Sequence, residues 1–116
     1  MIAIIGHVDV PAEERDRLVA DSVPLQQATA RDEPGCLVYT IAADPADPGR
    51  IRIVELWDSE EALDAHFDHP NFFATGDVLR SAPRLGGAAH KYRIDANDPV
   101  RGPDGKASTR FWSVQP

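Results

Sequence analysis

Apolar and polar positions along the chain follow two periods in alternation. Ile2, Ile4 and Val8 fall on one side of an extended chain, and Ala3 and Ile5 on the other. That spacing predicts a first strand over Ile2 to Asp9, apolar on both faces and so lying inside a sheet or beneath a partner. His7 shares the side of Ala3 and Ile5. From Pro11 the period becomes helical. Proline suits the first helical position, Glu13 and Glu14 suit the positive end of the helix dipole, and Leu18, Val19, Val23, Leu25 and Ala28 supply an apolar stripe. Pro24 removes a hydrogen-bond donor within this stripe and predicts a kink, or two helical pieces, between residues 11 and 31.

Glu33-Pro34-Gly35 turns the chain into a second strand at about residues 36–42. Asp44-Pro45-Ala46-Asp47-Pro48-Gly49 reverses it, and a third strand over residues 50–57 completes a hairpin. Asp58 or Ser59 caps a helix that carries Glu60 and Glu61 in its first turn, then Ala62, Leu63, His66 and Phe67 at helical spacing. His69-Pro70 interrupts it, and a further piece runs over residues 71–79. After the loop Ser81 to Gly87, residues 88–94 form a fourth strand. The order β-α-β-β-α-β predicts an α+β fold, a ferredoxin-like antiparallel sheet over residues 1–94. Residues 95–106 read as a linker, and Ser108 to Val114 as a fifth strand. Phe111 and Trp112 need burial, so the extension 95–116 is expected to dock on a partner subunit.

Composition narrows the function classes. A chain of 116 residues is one domain by length, and 42% hydrophobic with 27% charged residues is ordinary for a soluble globular protein. The net charge of -7 argues against nucleic acid and against anionic membranes as partners, since both reward basic patches. Cys36 is the single cysteine, so no intrachain disulfide forms, which suits the cytoplasm. The N-terminus reads as a strand that begins at once and not as a signal peptide, and no apolar run approaches a membrane span.

Glu33-Pro34-Gly35-Cys36-Leu37-Val38-Tyr39, the Asp44-Pro45 to Pro48 turn, Glu55-Leu56-Trp57, Ser59-Glu60-Glu61-Ala62-Leu63 and Ala65-His66-Phe67 together resemble the antibiotic biosynthesis monooxygenase (ABM) domain. The resemblance covers residues 1–94 and implies a dimeric α/β barrel, in which two sheets pack face to face and each subunit keeps a pocket between sheet and helices. It further implies cofactor-independent oxygenation of a quinol, an anthrone or a polyketide-like phenol, with the small aromatic and O2 as partners of a homodimer. Haem-degrading relatives place an Asn, a Trp and a His where this chain has His7, His66 and Gly76, so haem breakdown does not carry over.

Cofactor-free oxygenation needs a base near neutral pH, an apolar cavity, and donors that hold an electron-rich anion. His66 is the first choice for base or donor, because imidazole titrates near neutrality and the spacing from Leu63 turns it toward the core. Satisfaction by a backbone carbonyl or by Glu55 is the bland alternative. His7 is the second catalytic candidate and can equally bond at its strand end. Trp57 shares a strand face with Glu55 and can wall a pocket or simply fill the core. Glu55, if buried, needs Arg52, Arg93, Lys91 or a histidine as partner. Tyr39, Phe67 and Phe72 can line an aromatic cavity or be plain core. His69 is expected to be solvated or to stand behind the residues that touch a ligand, and Cys36 to be a small buried hydrophobe. No metal ligand set or other cofactor is expected, because Pro70 disturbs the His66/His69 pair and no third ligand is fixed. Two other readings stay open: a non-catalytic small-ligand-binding or stress-related barrel, and an isomerase of a small sugar-like metabolite.

Overall fold

The computed structural model describes residues 1–114; the last two residues of the expected extension lie outside the described residues. The elements follow as β1 (Ile2–Asp9), α1 (Ala12–Asp32), β2 (Cys36–Ala43), β3 (Arg50–Trp57), α2 (Glu60–Phe67), α3 (Pro70–Leu79) and β4 (Gly86–Arg93). The strands form one sheet in the order β2-β3-β1-β4, and all neighbours are antiparallel. This is the ferredoxin-like arrangement, its second helical region broken at His69-Pro70 into α2 and α3.

The two apolar sides of β1 have separate destinations. Ile2, Ile4 and Val8 meet the helices and join a core built around Leu18, Tyr39, Ile41, Ile51, Trp57 and Leu63. Ala3, Ile5 and His7 belong to the opposite face, because side chains alternate along the strand. Cross-strand register puts Ile5 beside Val54 and His90, Ala3 beside Leu56 and Tyr92, and His7 beside Arg52 and Ala88. On that face Ile5 is 50% exposed, Val54 40% and Tyr92 51%.

Helix α1 is continuous, so the break expected at Pro24 does not occur. Pro24 leaves the carbonyl of Ala20 without its helical donor, and both residues are exposed, so that carbonyl faces solvent and the missing bond costs little. The apolar stripe also differs from expectation. Val23 is exposed, while Ser22 and Thr29 are fully buried against the sheet side. Their hydroxyls donate to helix carbonyls, Ser22 Oγ to Val19 O at 2.7 Å and Thr29 Oγ1 to Leu25 O at 2.8 Å, which removes the penalty of burying them.

The hairpin between β2 and β3 is fixed by Asp44. Its Oδ2 accepts from the backbone N–H groups of Ala46 and Asp47, and Arg52 Nε donates to its Oδ1 at 2.7 Å. The Arg52 bond first, then the two backbone donors, hold the Asp44 carboxyl down to about 2. The extension does not form the strand expected over Ser108 to Val114. It closes on itself through a bridge between Arg101 and Ala107 and ends in a 3-10 turn over Trp112–Val114. Gly105 reverses the chain at φ 78°, Trp112 lies against Gly102, and the Ser113 N–H donates to Asp98 Oδ2. Trp112 thus finds cover within the extension itself.

A buried imidazole between two carboxylates

The candidate site is assembled from the turn after α1, two neighbouring strands and the α2–α3 junction. Glu33 ends α1, where its backbone N–H donates to Thr29 O. Gly35 then turns with φ 85°, a conformation that favours glycine, and its carbonyl accepts from the Asp58 N–H at 2.9 Å. This fastens the Glu33 turn to the start of α2. Ser59 caps that helix by accepting from the Ala62 N–H, and the helix carries Leu63 and His66 one turn apart into the interior.

His66 is 1% exposed. Its Nδ1 lies 2.7 Å from Glu33 Oε1. The other oxygen of Glu33 accepts from Asn71 Nδ2 at 3.1 Å, and His69 Nδ1 stands 3.8 Å from it. His69 Nδ1 itself accepts from the Asn71 N–H and caps α3. On the other side of the imidazole, His66 Nε2 is buried and makes no hydrogen bond; Glu55 Oε1 is 4.0 Å away. That oxygen accepts from Trp57 Nε1 at 3.0 Å.

Aromatic rings enclose the imidazole. Trp57 stands at a centroid distance of 4.7 Å, Phe72 at 5.3 Å, Tyr39 at 5.4 Å and Phe67 at 6.0 Å. This enclosed environment shifts the acids around it. Burial pushes the Glu55 carboxyl up, against the opposing Trp57 hydrogen bond. Burial also raises the Tyr39 phenol, with the Glu55 charge adding to it and Thr75 opposing. The Cys36 thiol is pushed up to about 11, by burial first and by the charges of Glu33 and Glu55 after it, which makes it a poor nucleophile.

A surface cleft of about 290 Å³ opens beside this cluster, lined by Ile2, Leu63, Phe67 and Lys91 with Glu60 and Asp64 at its edge. Phe67 belongs to both places, so it separates the cleft from the imidazole. Phe67 and Phe72 are 40% and 37% exposed and pack edge to face at 5.2 Å, which makes them the thinnest cover over His66.

Of the residues singled out by sequence, His66, Trp57, Glu55, Tyr39, Phe67 and Phe72 are brought together. His7 is not. It sits on the open side of the sheet, with Nε2 3.8 Å from Asp9 Oδ2, because its parity along β1 opposes that of Ile4 and Val8. Of the partners that burial of Glu55 asks for, it has the histidine, His66, with Nε2 4.0 Å away, and not Arg52, Arg93 or Lys91; Arg52 alternates to the open face and binds Asp44. His69 is only partly exposed and caps a helix. Glu33 carries no role at the site in the sequence reading, and Asn71 supports the site through it rather than touching the imidazole. A signal for Glu33 exists, since a carboxylate at a helix C-terminus opposes the dipole and asks for another reason to be there. Among the described residues, no group of three or more His, Cys, Asp or Glu side chains is placed to hold a metal ion. No helix among them is long and apolar enough to cross a membrane.

Comparisons with known proteins agree with this fold. The family profile described as antibiotic biosynthesis monooxygenase matches residues 1–77. A candidate antibiotic biosynthesis monooxygenase from Deinococcus radiodurans is 27% identical with a TM-score of 0.76, over 88% of this chain and 100% of that one. A candidate of the same description from Chloroflexus aurantiacus is 28% identical with a TM-score of 0.66, over 84% of this chain and 96% of that one. An uncharacterized Synechocystis protein is 30% identical over 71 residues, which is 61% of this chain. The matched stretch spans 48% of that relative, about half its length.

Proposed function

The chain belongs to the antibiotic biosynthesis monooxygenase family, and from that premise we propose that it oxygenates a small electron-rich aromatic with O2 and without a metal or flavin. The substrate class is a quinol, an anthrone or a polyketide-like phenol. One observation carries the reading: His66 Nε2 is a buried ring nitrogen with no hydrogen-bond partner, set among aromatic rings. A buried polar atom left unbonded costs about 1–3 kcal/mol, and such atoms occur where a ligand supplies the missing bond. The 4.0 Å gap between Nε2 and Glu55 Oε1 can be bridged by a single oxygen within hydrogen-bond reach of both.

In this reading the substrate enters from the cleft at Leu63 and displaces the ring of Phe67. Its phenolic oxygen donates to His66 Nε2, which takes the proton. The aryloxide gives one electron to O2, the superoxide and aryloxyl radicals so formed combine at a ring carbon that bears hydrogen, and the resulting peroxide anion takes the proton back from His66 to give a hydroperoxide. Loss of water then leaves a carbonyl, so one phenol and one O2 yield one quinone and one water. Trp57, Tyr39 and Phe72 shape the ring's seat, and the Trp57 N–H steadies Glu55.

The homodimer belongs to this proposal. Ile5, Val38, Val54 and Tyr92 expose apolar surface on the open face of the sheet, and a second copy is its natural cover. The lone Cys36 suits work in the cytoplasm. A second reading, non-catalytic binding of a small ligand, draws support from one fact: the cleft is open while His66 is enclosed. Among the described residues Lys91 is the one cation lining that cleft, beside two acids, which gives a phosphorylated metabolite little to bind.

Oxygen consumption with 1,4-naphthohydroquinone and with anthrone decides between the two readings. The wild-type protein is expected to raise uptake above the spontaneous rate, and His66→Ala to lower that enzymatic rate by on the order of 10²-fold or more. Unchanged uptake in folded His66→Ala removes His66 as the base. No uptake by the wild type, with binding retained, favours the second reading.

A further inference from the structure

We propose that Glu33, held by Asn71, is a positioning residue that fixes His66 as the tautomer with its proton on Nδ1 and its lone pair on Nε2. This rests on the reading of His66 as the base and extends it to two residues that touch neither cleft nor substrate.

Four observations converge. The Nδ1 to Oε1 distance of 2.7 Å is that of a short, charge-assisted bond. A carboxylate only accepts, so each of its close contacts must bring a hydrogen. Asn71 Nδ2 brings one to Oε2, and the imidazole must bring the other to Oε1. On the far side of the ring, Nε2 has no acceptor within bonding distance: Glu55 Oε1 is 4.0 Å away, and its bond to Trp57 Nε1 holds it there. A proton on Nε2 would strand a donor in the interior, whereas a bare Nε2 strands only a lone pair for the incoming hydroxyl.

The clamp is mechanically complete. Asn71 stands on the first turn of α3, and its own backbone N–H is fixed by His69 Nδ1. Glu33 is fixed by the end of α1 and by the Gly35–Asp58 backbone bond. The ring therefore cannot rotate without breaking contacts from three elements. Glu33, Glu55, His69, Tyr39 and Cys36 are the titratable groups that surround it, and among them only Glu33 reaches a ring nitrogen at bonding distance.

Nitrogen-15 NMR of protein labelled at histidine tests this directly. The His66 signals are assigned by their absence in His66→Gln. In the wild type near neutral pH, Nδ1 is expected at the shift of a protonated ring nitrogen and Nε2 at that of a bare one. Glu33→Gln, whose amide both donates and accepts, is expected to give a mixture of tautomers; Asn71→Ala should loosen the same preference and serves if Glu33→Gln does not fold. With 1,4-naphthohydroquinone, Glu33→Gln should lower kcat by about tenfold or more while KM stays within about threefold, because the lost alignment acts on proton transfer. A wild-type His66 protonated on Nε2, or one whose tautomer survives in folded Glu33→Gln or Asn71→Ala, overturns the proposal. The spectra need no turnover, so a protein that leaves the quinol untouched would refute the oxygenase reading and leave the tautomer assignment standing or falling on its own.

Discussion

Glu55 is the residue whose environment departs furthest from what a carboxylate prefers. It lies on a strand between apolar neighbours, and burial raises its pKa. A raised acid holds its proton in the folded state after the unfolded chain has released it, at about pH 4.3. Over the window from that value up to the raised one, the folded state binds more protons, so stability falls as pH rises. Glu55→Gln removes the titration and can keep the acceptor for Trp57. Urea unfolding of the two proteins between pH 4 and 8 should show a variant that gains on the wild type as pH rises through this window; a constant difference would contradict the burial argument. The same scale shows what the sequence could and could not disclose. His66 was visible because Leu63 lies one turn before it. Its partner Glu33 was not, because the two are distant along the chain and meet only once α1, α2 and α3 have packed. His7 was misplaced because a strand apolar on both sides gives no sign of which side the helices cover.

At the scale of elements, turns and caps were legible and the interior of α1 was not. The caps rest on local chemistry: Ser59 accepts from the Ala62 N–H, and Asp44 gathers the backbone of its own turn. Pro24 and Val23 differ from expectation because their outcome depends on which side of the helix meets the sheet, a tertiary fact. Gly35 joins the local and the tertiary. Its φ of 85° disfavours a side chain, and a Cβ there would stand 2.5 Å from Ala62 Cβ and from Asp58 Oδ1. Gly35→Ala is therefore expected to destabilise by more than about 1 kcal/mol in urea unfolding, through strain and through separation of β2 from α2. A variant as stable as the wild type would show that the turn relaxes freely.

At the scale of the whole molecule, the sheet offers one face to its helices and leaves the other to solvent. The ferredoxin-like order was readable because each element carried its own period. The fate of the open face was not, since a single chain does not state its partner. If a second copy covers it, Val54→Lys, at the centre of the apolar strip formed with Ile5, should yield monomers in sedimentation velocity at concentrations where the wild type is dimeric. A dimer that survives the lysine places the contact elsewhere.

The strand order also has a consequence in time. β1 is synthesised before both of its neighbours in the sheet, β3 and β4. The hairpin of β2 and β3 can form while synthesis continues, because its turn holds itself. β1 cannot finish pairing until residues 86–93 exist, so an isoleucine-rich segment keeps an open edge until then. Substitutions in β1 should therefore act mainly on the yield of refolding from denaturant and on aggregation during expression, while those in the Asp44 turn act on the rate of the earliest step.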